Sequence, residues 1–153
     1  MPGKYSVIGN ATNTASATVP LGNLGGGTGQ RVRLAEVELG SDAAPADNAV
    51  QLAFQRASAR GTQSTSITPQ ALDGADPAAL STFDTAWSGN PTLTANAFLP
   101  PIIGLNQRAP YRWVAMPGWE VIIPATSGAG LALMSRVNGG SAFNTNFNIL
   151  FAE

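Results

Sequence analysis

The chain has no cysteine and no histidine among its 153 residues. Without cysteine it can form neither a disulfide nor a thiolate metal site. Without histidine it lacks the side chain that enzymes use most often as a general base and transition metals most often as a ligand. A serine or threonine nucleophile would then need a lysine or a carboxylate as its base, and Lys4 is the only lysine. We therefore expect neither enzymatic activity nor a bound cofactor.

Charged residues are also scarce, at 11% of the chain with a net charge of −1, whereas a typical soluble domain has about 25%. Nucleic-acid binding requires a basic surface, so this balance argues against it. Serine, threonine, asparagine and glutamine together supply 41 residues. A partner can cover such a neutral polar surface without stripping water from many charges, which is the costly step. The composition therefore favours a protein that sits in an assembly, with no small-molecule substrate.

Long apolar runs are missing as well. No stretch approaches the 18 or more apolar residues typical of a membrane span, and the opening residues MPGKYSVIGNATNT lack the apolar core of a signal peptide. We expect no membrane association. A length of 153 residues is most simply accounted for by one domain with a substantial core.

Turn-forming residues recur about every eight to twelve positions, which is typical of an all-β sandwich or barrel. Between them, short segments alternate apolar and polar residues with the period of a strand. In AFNTNFNILF, Phe143, Phe147, Ile149 and Phe151 share one face and the asparagines the other; AVQLAFQR alternates in the same way. The sequence therefore predicts an all-β, single-domain, jelly-roll-like β-sandwich.

Two turns and one helix are predicted locally. Asn138–Gly140 is typical of a hairpin, which would join GLALMSRV to the last strand. Pro117-Gly118 suits a type II turn, in a longer loop or between sheets. A short helix is predicted near residues 76–87, because Asp76 suits an N-cap, Pro77 the first helical position, and Leu80, Phe83 and Trp87 follow helical spacing.

The glycine-rich stretch GNLGGGTGQ at residues 22–30 is the one segment that resembles a nucleotide motif. A Walker loop needs a nearby lysine and a dinucleotide loop needs a following helix, but no lysine is near and RVRLAEVEL reads as a strand. We interpret the stretch as a flexible loop between strands.

Charged residues cluster in two places. The carboxylates Glu36, Glu38, Asp42 and Asp47 leave two interpretations open: a calcium site, or cross-strand pairing with Arg31, Arg33 or Arg56. Arg108 and Arg112 lie beside Trp113 and Trp119, and arginine and tryptophan are favoured interface residues. For Trp113 a core position in an ordinary strand is favoured over an interface position.

Three stretches together resemble the capsid decoration, or cement, proteins of tailed bacteriophages: KYSVIGNATNTASATVPLGNL, ADNAVQLAFQRASARGTQSTSITPQALD followed by DPAA, and NAFLPPIIGLNQRAPYRWVAMPGWEVIIPAT. The resemblance implies a β-sandwich, often a jelly roll, that sits as a homotrimer on the virion surface over the major capsid protein. It implies no catalytic residues.

The domain prediction divides the chain into an N-terminal arm with the first strand, residues 1–20, and a β-sandwich, residues 21–153. We predict that residues 2–10 pair with a neighbouring chain and stay outside the core, because a strand-like KYSVI precedes a long run of small residues. The predicted capsid or subunit contacts are Lys4, Tyr5, Val7, Ile8, Arg108 and Arg112.

The alternative function is a carbohydrate- or receptor-binding β-sandwich of a virion. Exposed aromatic rings ringed by amides bind sugars, and Trp87 with Asn90 is the best candidate in the sequence. The spacing of Trp87 from Leu80 and Phe83 favours a buried ring instead.

Overall fold

The computed structural model describes residues 2–13, 19–41, 46–47, 49–138 and 142–153. These residues are all β and turn, with no helix among them. Their strands, in chain order, are β1 Lys4–Asn13, β2 Gly22–Gly25, β3 Val32–Ser41, β4 Ala49–Ala59, β5 Thr62–Ile67, β6 Gln70–Ala71, β7 Thr82–Gly89, β8 Thr92–Asn106, β9 Tyr111–Val114, β10 Val121–Ile123, β11 Gly130–Asn138 and β12 Phe143–Ala152.

The strands form two antiparallel sheets. The first has the order β10-β3-β12-β1-β6, with β9 also pairing with β3, and the second has the order β5-β7-β2-β11-β4-β8. Apolar side chains from both sheets form a single core. The rings of Phe83, in the second sheet, and Phe147, in the first, lie 5.1 Å apart between centroids. The prediction of an all-β fold built from two packed sheets is confirmed.

The predicted alternation of β12 and β4 is also confirmed. Phe147, Ile149 and Phe151 are buried on the inner face of β12, while Asn146 is exposed on the outer face. Val50, Leu52 and Phe54 of β4 are buried in the same core. The period of two therefore identified the faces of both strands, because each packs one side against the opposite sheet.

The prediction of an N-terminal arm outside the core is wrong. β1 lies inside the first sheet, pairing with β12 from Lys4↔Ala152 to Asn13↔Phe143. Tyr5 and Val7 are 2% and 1% exposed. The run of small residues suggested a segment that could extend to a neighbouring chain. However, Tyr5, Val7 and Gly9 alternate onto one face of β1, and this apolar face is buried against the core.

The glycine-rich stretch is not simply a flexible loop. Its first part, Gly22–Gly25, is strand β2 and is buried along its whole length. A Cβ atom at Gly22 would fall within the ring of Phe83, which is itself 1% exposed. Glycine is therefore required here to make room for a core aromatic ring, and residues 26–31 form the connection to β3.

The helix predicted near residues 76–87 is absent. Asp76 closes a turn by donating its N–H to the Asp73 carbonyl at 3.0 Å, and Thr82–Gly89 is strand β7. Phe83 and Trp87 are four residues apart, so they share a face in a strand as well as in a helix. The deciding residue is Leu80, which is 52% exposed; the threonines and aromatic residues of β7 favour a strand.

The hairpin predicted at Asn138–Gly140 is wrong in its pairing. Residues 139–140 lie outside the described residues, but β11 belongs to the second sheet and β12 to the first. The chain therefore crosses between sheets here. The type II turn at Pro117-Gly118 is confirmed: Trp119 donates its N–H to the Met116 carbonyl at 2.8 Å, and Gly118 has a φ of 83°.

A row of polar side chains crosses the outer face of the second sheet. Ser66, Asp84 and Asn23 are successive register partners, and both Asp84 and Asn23 have no exposed surface. Arg60 donates two hydrogen bonds to the Asp84 carboxylate, from Nε to Oδ2 at 2.5 Å and from Nη2 to Oδ1 at 2.6 Å. The Ser66 hydroxyl donates to Oδ1 at 2.6 Å. The hydrogen bond to Asp84 raises the pKa of Arg60, so the buried carboxylate is compensated by a fixed charge.

We predict that Gly22→Ala lowers the free energy of unfolding by about 1–3 kcal/mol, because the added methyl group forces the Phe83 ring out of its core position. Urea denaturation of the purified variant measures this loss. Gly104→Ala is the matched control, since nothing lies within 4 Å of a Cβ atom at Gly104 in β8. Equal stabilities of the two variants would contradict the packing argument.

We also predict that Arg60→Ala costs about 3 kcal/mol, because it leaves the Asp84 carboxylate buried without a counter-charge. The control is Arg112→Ala, whose side chain is 62% exposed and whose partner Glu36 is 15% exposed; loss of this partly solvated pair costs less. Thermal and urea unfolding of both variants checks the order. A larger loss for Arg112→Ala would show that Asp84 does not depend on Arg60.

Candidate functional site

The outer face of the first sheet carries polar side chains in register across four strands. One row contains Ile8, Asn148, Glu38 and Arg112, each the partner of the next on β1, β12, β3 and β9. A second row pairs Asn10 with Asn146. Alternation along β12 places its asparagines on this side because its aromatic residues fill the core. We call this surface, formed by the outward side chains of β1, β12, β3 and β9, the amide face.

A shallow groove of about 700 Å³ runs along the amide face. Its walls combine amides, one carboxylate, one guanidinium and apolar groups: Ile8, Asn10, Glu38, Tyr111, Arg112, Asn146, Phe147 and Asn148. This mixture donates and accepts hydrogen bonds and offers apolar contact, but it contains no histidine or cysteine. The groove therefore offers both polar and apolar contacts to a molecule lying against it.

Three charged residues on the amide face are in contact, Arg112 with both Glu36 and Glu38. Arg112 Nε lies 2.5 Å from Glu36 Oε1 and 3.4 Å from Glu38 Oε1, and Asn148 donates its side-chain amide to Glu38 Oε2 at 3.2 Å. The hydrogen bond to Glu36 raises the pKa of Arg112. Of the two interpretations of these carboxylates, cross-strand pairing therefore describes Glu36 and Glu38, although their partner is Arg112.

The calcium alternative has no cluster to support it within the described ranges. Asp42 lies outside them, and no group of three or more aspartate or glutamate side chains there could hold a metal ion. Glu36 and Glu38 are both engaged by Arg112. The amide face is thus close to neutral, with Glu36 and Glu38 held in contact with Arg112.

The turn Met116–Trp119 stands at the edge of this sheet, between β9 and β10. Both strands pair with β3, so the turn interrupts a single edge strand. Met116 is 67% exposed and Trp119 75%. Glu120 accepts the Gly118 N–H at 3.2 Å; hydrogen bonds from its own N–H and from Gly118 lower the pKa of Glu120. The turn therefore presents two large apolar side chains on a fixed backbone.

A smaller groove of about 360 Å³ connects this turn with the amide face. Exposed apolar side chains line it, with Leu72 56% and Val114 53% exposed; Pro117 and Leu150 lie beside them. Lys4 lies at its border. The corner of the first sheet thus combines an apolar strip with the neutral amide face.

The predicted contact residues of β1 divide between the two sides of the sheet. Tyr5 and Val7 are in the core, and the Tyr5 hydroxyl donates to the Pro77 carbonyl at 3.1 Å. Burial, with a smaller effect of nearby carboxylates, raises the pKa of Tyr5. Lys4 and Ile8 are exposed, Ile8 at 70%. Lys4 and Ile8 are therefore accessible to a partner, whereas Tyr5 and Val7 are not.

The two predicted arginines are separated. Arg108 is exposed in the turn after β8, where its N–H is donated to the Asn106 side chain at 3.0 Å. Arg112 lies on the amide face and lines the same groove as Ile8. The structure thus brings together Ile8 and Arg112, at opposite ends of one row, and leaves Arg108 apart.

The proposed sugar platform at Trp87 and Asn90 is partly closed. Asn90 is exposed, but Trp87 is half-buried and its indole Nε1 is buried without a hydrogen-bond partner among the described residues. The ring is therefore not presented as a flat exposed surface. Leu72, Val114 and Met116 were not identified from the sequence, because alternation does not tell which apolar residues remain uncovered at a sheet edge.

In the described part of the chain, no helix is long and apolar enough to span a membrane. Comparison of the chain with protein-family models, curated proteins and solved structures gives no significant match.

Proposed function

We propose that the protein is a structural virion component, a decoration or cement protein that binds the outside of a tailed-phage head and stabilises contacts between capsomers. The observation that carries the proposal is the corner of the first sheet, where a fixed Met116–Trp119 turn adjoins the neutral amide face. Tryptophan, methionine and arginine are enriched at protein interfaces, and unpaired charges are depleted. The sequence resemblance to decoration proteins points to the same role.

The strand order supports the jelly-roll part of the proposal. β1, β12, β3 and the β9–β10 edge are neighbours in one sheet, and β2, β11, β4 and β8 are neighbours in the other. The chain thus alternates between sheets in the manner of two interlocked Greek keys. The hairpin-like pair β5 and β7 and the short β6 form an insertion between β4 and β8.

The proposed mechanism is mechanical. Each copy adds buried contact area between neighbouring capsomers, and that area has to be lost before the shell can break under the pressure of packaged DNA. The major capsid protein is the proposed partner and a homotrimer on the virion surface the proposed form. Many copies on one lattice hold firmly through effective concentration even when each contact is weak.

We predict that Trp119→Ala weakens binding to the shell by about 30-fold, corresponding to the loss of about 2 kcal/mol expected of an interface anchor. The measurement is co-sedimentation of the purified chain with empty, expanded heads of the encoding phage that were prepared without this protein. Ile102→Ala is the control, because Ile102 is 55% exposed on the outer face of the opposite sheet.

Retention of the wild-type chain by such heads, lost with Trp119→Ala and kept with Ile102→Ala, would support the proposal. Failure of the wild-type chain to bind heads at all would contradict the capsid role. Equal weakening by both variants would show that the loss is not specific to the Met116–Trp119 turn, and would contradict its role as the contact with the shell.

A second candidate is the carbohydrate- or receptor-binding module. The groove on the amide face favours it, since Asn10, Asn146, Asn148 and Glu38 offer hydrogen bonds beside the exposed side chain of Ile8. This groove is a better sugar site than Trp87, whose ring is half-buried.

For this alternative we predict that a glycan array detects one class of sugar, that Asn148→Ala abolishes the signal, and that Trp119→Ala leaves it unchanged. The physical reason is that Asn148 lies inside the groove, while Trp119 is on the turn outside it. An array without any binding would eliminate the sugar-binding function.

A further inference from the structure

One stretch of the first sheet has an open edge. β1 pairs with β12 over its full length, from Lys4 to Asn13, without a bulge. On its other side β1 pairs only with β6, and only through Tyr5 and Ser6. Among the described residues no strand pairs with that side of β1 from Val7 onwards. A regular strand therefore continues for several residues with one side unoccupied.

The backbone groups on that open side can be assigned from the hydrogen bonds of Lys4. The Lys4 carbonyl accepts the Leu72 N–H at 2.8 Å, so the peptide groups of Lys4 point away from β12. In an antiparallel strand the N–H and C=O of every second residue point to the same side. The N–H and C=O groups of Ile8, Asn10 and Thr12 consequently point to the open edge.

The other sheet edges in the described part of the chain each carry a feature that discourages pairing. β6 is only two residues long, and the β9–β10 edge is interrupted by the Met116–Trp119 turn. β8 contains Pro100 and Pro101, and its register with β4 shifts three times; the register of β5 with β7 also shifts three times. Prolines and bulges are the common means by which proteins protect edge strands.

The open stretch of β1 has none of these protections. Ile8, Gly9, Asn10, Ala11 and Thr12 include no charge and no proline, and the side chains of Ile8, Asn10 and Thr12 are exposed. A flat, uncharged, regular edge of this kind is a template for strand addition.

We propose that this edge binds the same edge of a second copy of the chain, as an antiparallel strand pair centred on Asn10. In this arrangement Asn10 lies opposite Asn10 of the second copy, and Ile8 lies opposite Thr12. The third opposed pair is Thr12 with Ile8 of the second copy. In each of the three pairs the backbone N–H and C=O groups face the partner strand and exchange two hydrogen bonds, giving about six in all. The two first sheets become one continuous sheet across a two-fold axis.

The extent of the free edge selects this register. Pairing centred on Asn10 runs from Ile8 to Thr12 in both copies, which ends before Ser6, where β6 occupies the edge, and before the end of β1 at Asn13. If the pairing is centred on Gly9 or Ala11 instead, only two opposed residue pairs have backbone N–H and C=O groups that face each other. Such a register forms about four hydrogen bonds. The Asn10 register therefore satisfies the most backbone groups.

The side chains of this register favour a second copy over an unrelated strand. A two-fold contact places like residues near one another, which is unfavourable for charged edges. Here the opposed pairs are two β-branched residues, Ile8 with Thr12, and two neutral amides at Asn10, so self-association brings no like charges together. β-Branched pairs across strands are stabilising.

We predict that Asn10→Cys forms a disulfide-linked dimer under mild oxidation. The Cα atoms of an opposed, hydrogen-bonded pair are about 5.5 Å apart, within the range of about 4.4–6.8 Å that a disulfide spans. Because the native chain has no cysteine, the engineered thiol is the sole one present. Non-reducing electrophoresis should show most of the chain shifted from the monomer band to the dimer band.

The matched control is Ile8→Cys, another exposed position on the same strand. About the two-fold axis at Asn10, the two Ile8 positions are offset by four residues, or about 13–14 Å along the strands, which is too far for a disulfide. The double variant Ile8→Cys/Thr12→Cys should again give the dimer, because it restores an opposed pair.

A second variant tests the contact without cysteine chemistry. Asn10→Pro removes an N–H that faces the open edge, so the hydrogen bonds between β1 and β12 are retained. Sedimentation velocity should show twice as many chains per particle for the wild type as for Asn10→Pro, six against three where the proposed homotrimer also forms, with far-ultraviolet circular dichroism unchanged. If Asn10→Pro loses the β-sheet spectrum, the variant is unfolded, and the cross-linking of the cysteine variants then decides the question.

Disulfide dimers of Asn10→Cys and of the double variant, without dimers of Ile8→Cys, would establish the two-fold pairing. Equal cross-linking of Asn10→Cys and Ile8→Cys would indicate random collision and overturn the proposal, as would the absence of cross-linking by Asn10→Cys. The inference does not rest on the capsid role, because the edge and its register are independent of what the amide face binds.

Discussion

The contact between Phe83 and Phe147 is the constraint on which the rest of the sandwich depends. The two rings join the sheets at a centroid distance of 5.1 Å, and Phe83 reaches this position only because Gly22 on the adjacent strand leaves space for the ring. The position of Phe83 fixes β7 beside β2 and thereby sets Asp84 on the outer face, next to Asn23. A single glycine therefore determines both the inner packing and the place of a buried charge.

The two outer faces of the sandwich are chemically different, and the difference follows from what covers them. On the second sheet, Asp84 and Asn23 are buried, and Arg60 reaches across from the end of β4 to neutralise the carboxylate. On the first sheet, Arg112 also meets a carboxylate, but that pair is open to solvent. The first pair compensates a fully buried carboxylate, whereas the second neutralises charge on a face that is partly open to solvent.

The sequence predicted what depends on local alternation and missed what depends on long-range contact. The faces of β12 and β4 and the turn at Pro117-Gly118 were predicted, because period-two burial and a positive φ are local properties. The helix at residues 76–87 was wrong because the spacing of Phe83 and Trp87 fits both periods. The arm and the Asn138–Gly140 hairpin were wrong because local sequence does not tell which sheet a strand joins. Ile8 and Arg112 were both predicted as contacts, but only the intervening strands β12 and β3 bring them into one groove.

At one corner of the molecule, the residues that are exposed in the Met116–Trp119 turn are not the residues that hold the edge strand in the sheet. β9 and β10 are each held to β3 by their own hydrogen bonds, so the register on either side is fixed without help from the residues between them. Substitutions, and even insertions, in the Met116–Trp119 turn change what the protein displays while the sandwich beneath stays the same. This corner therefore tolerates changes of sequence as a surface loop does, because its side chains can be replaced without altering the strand pairing on either side.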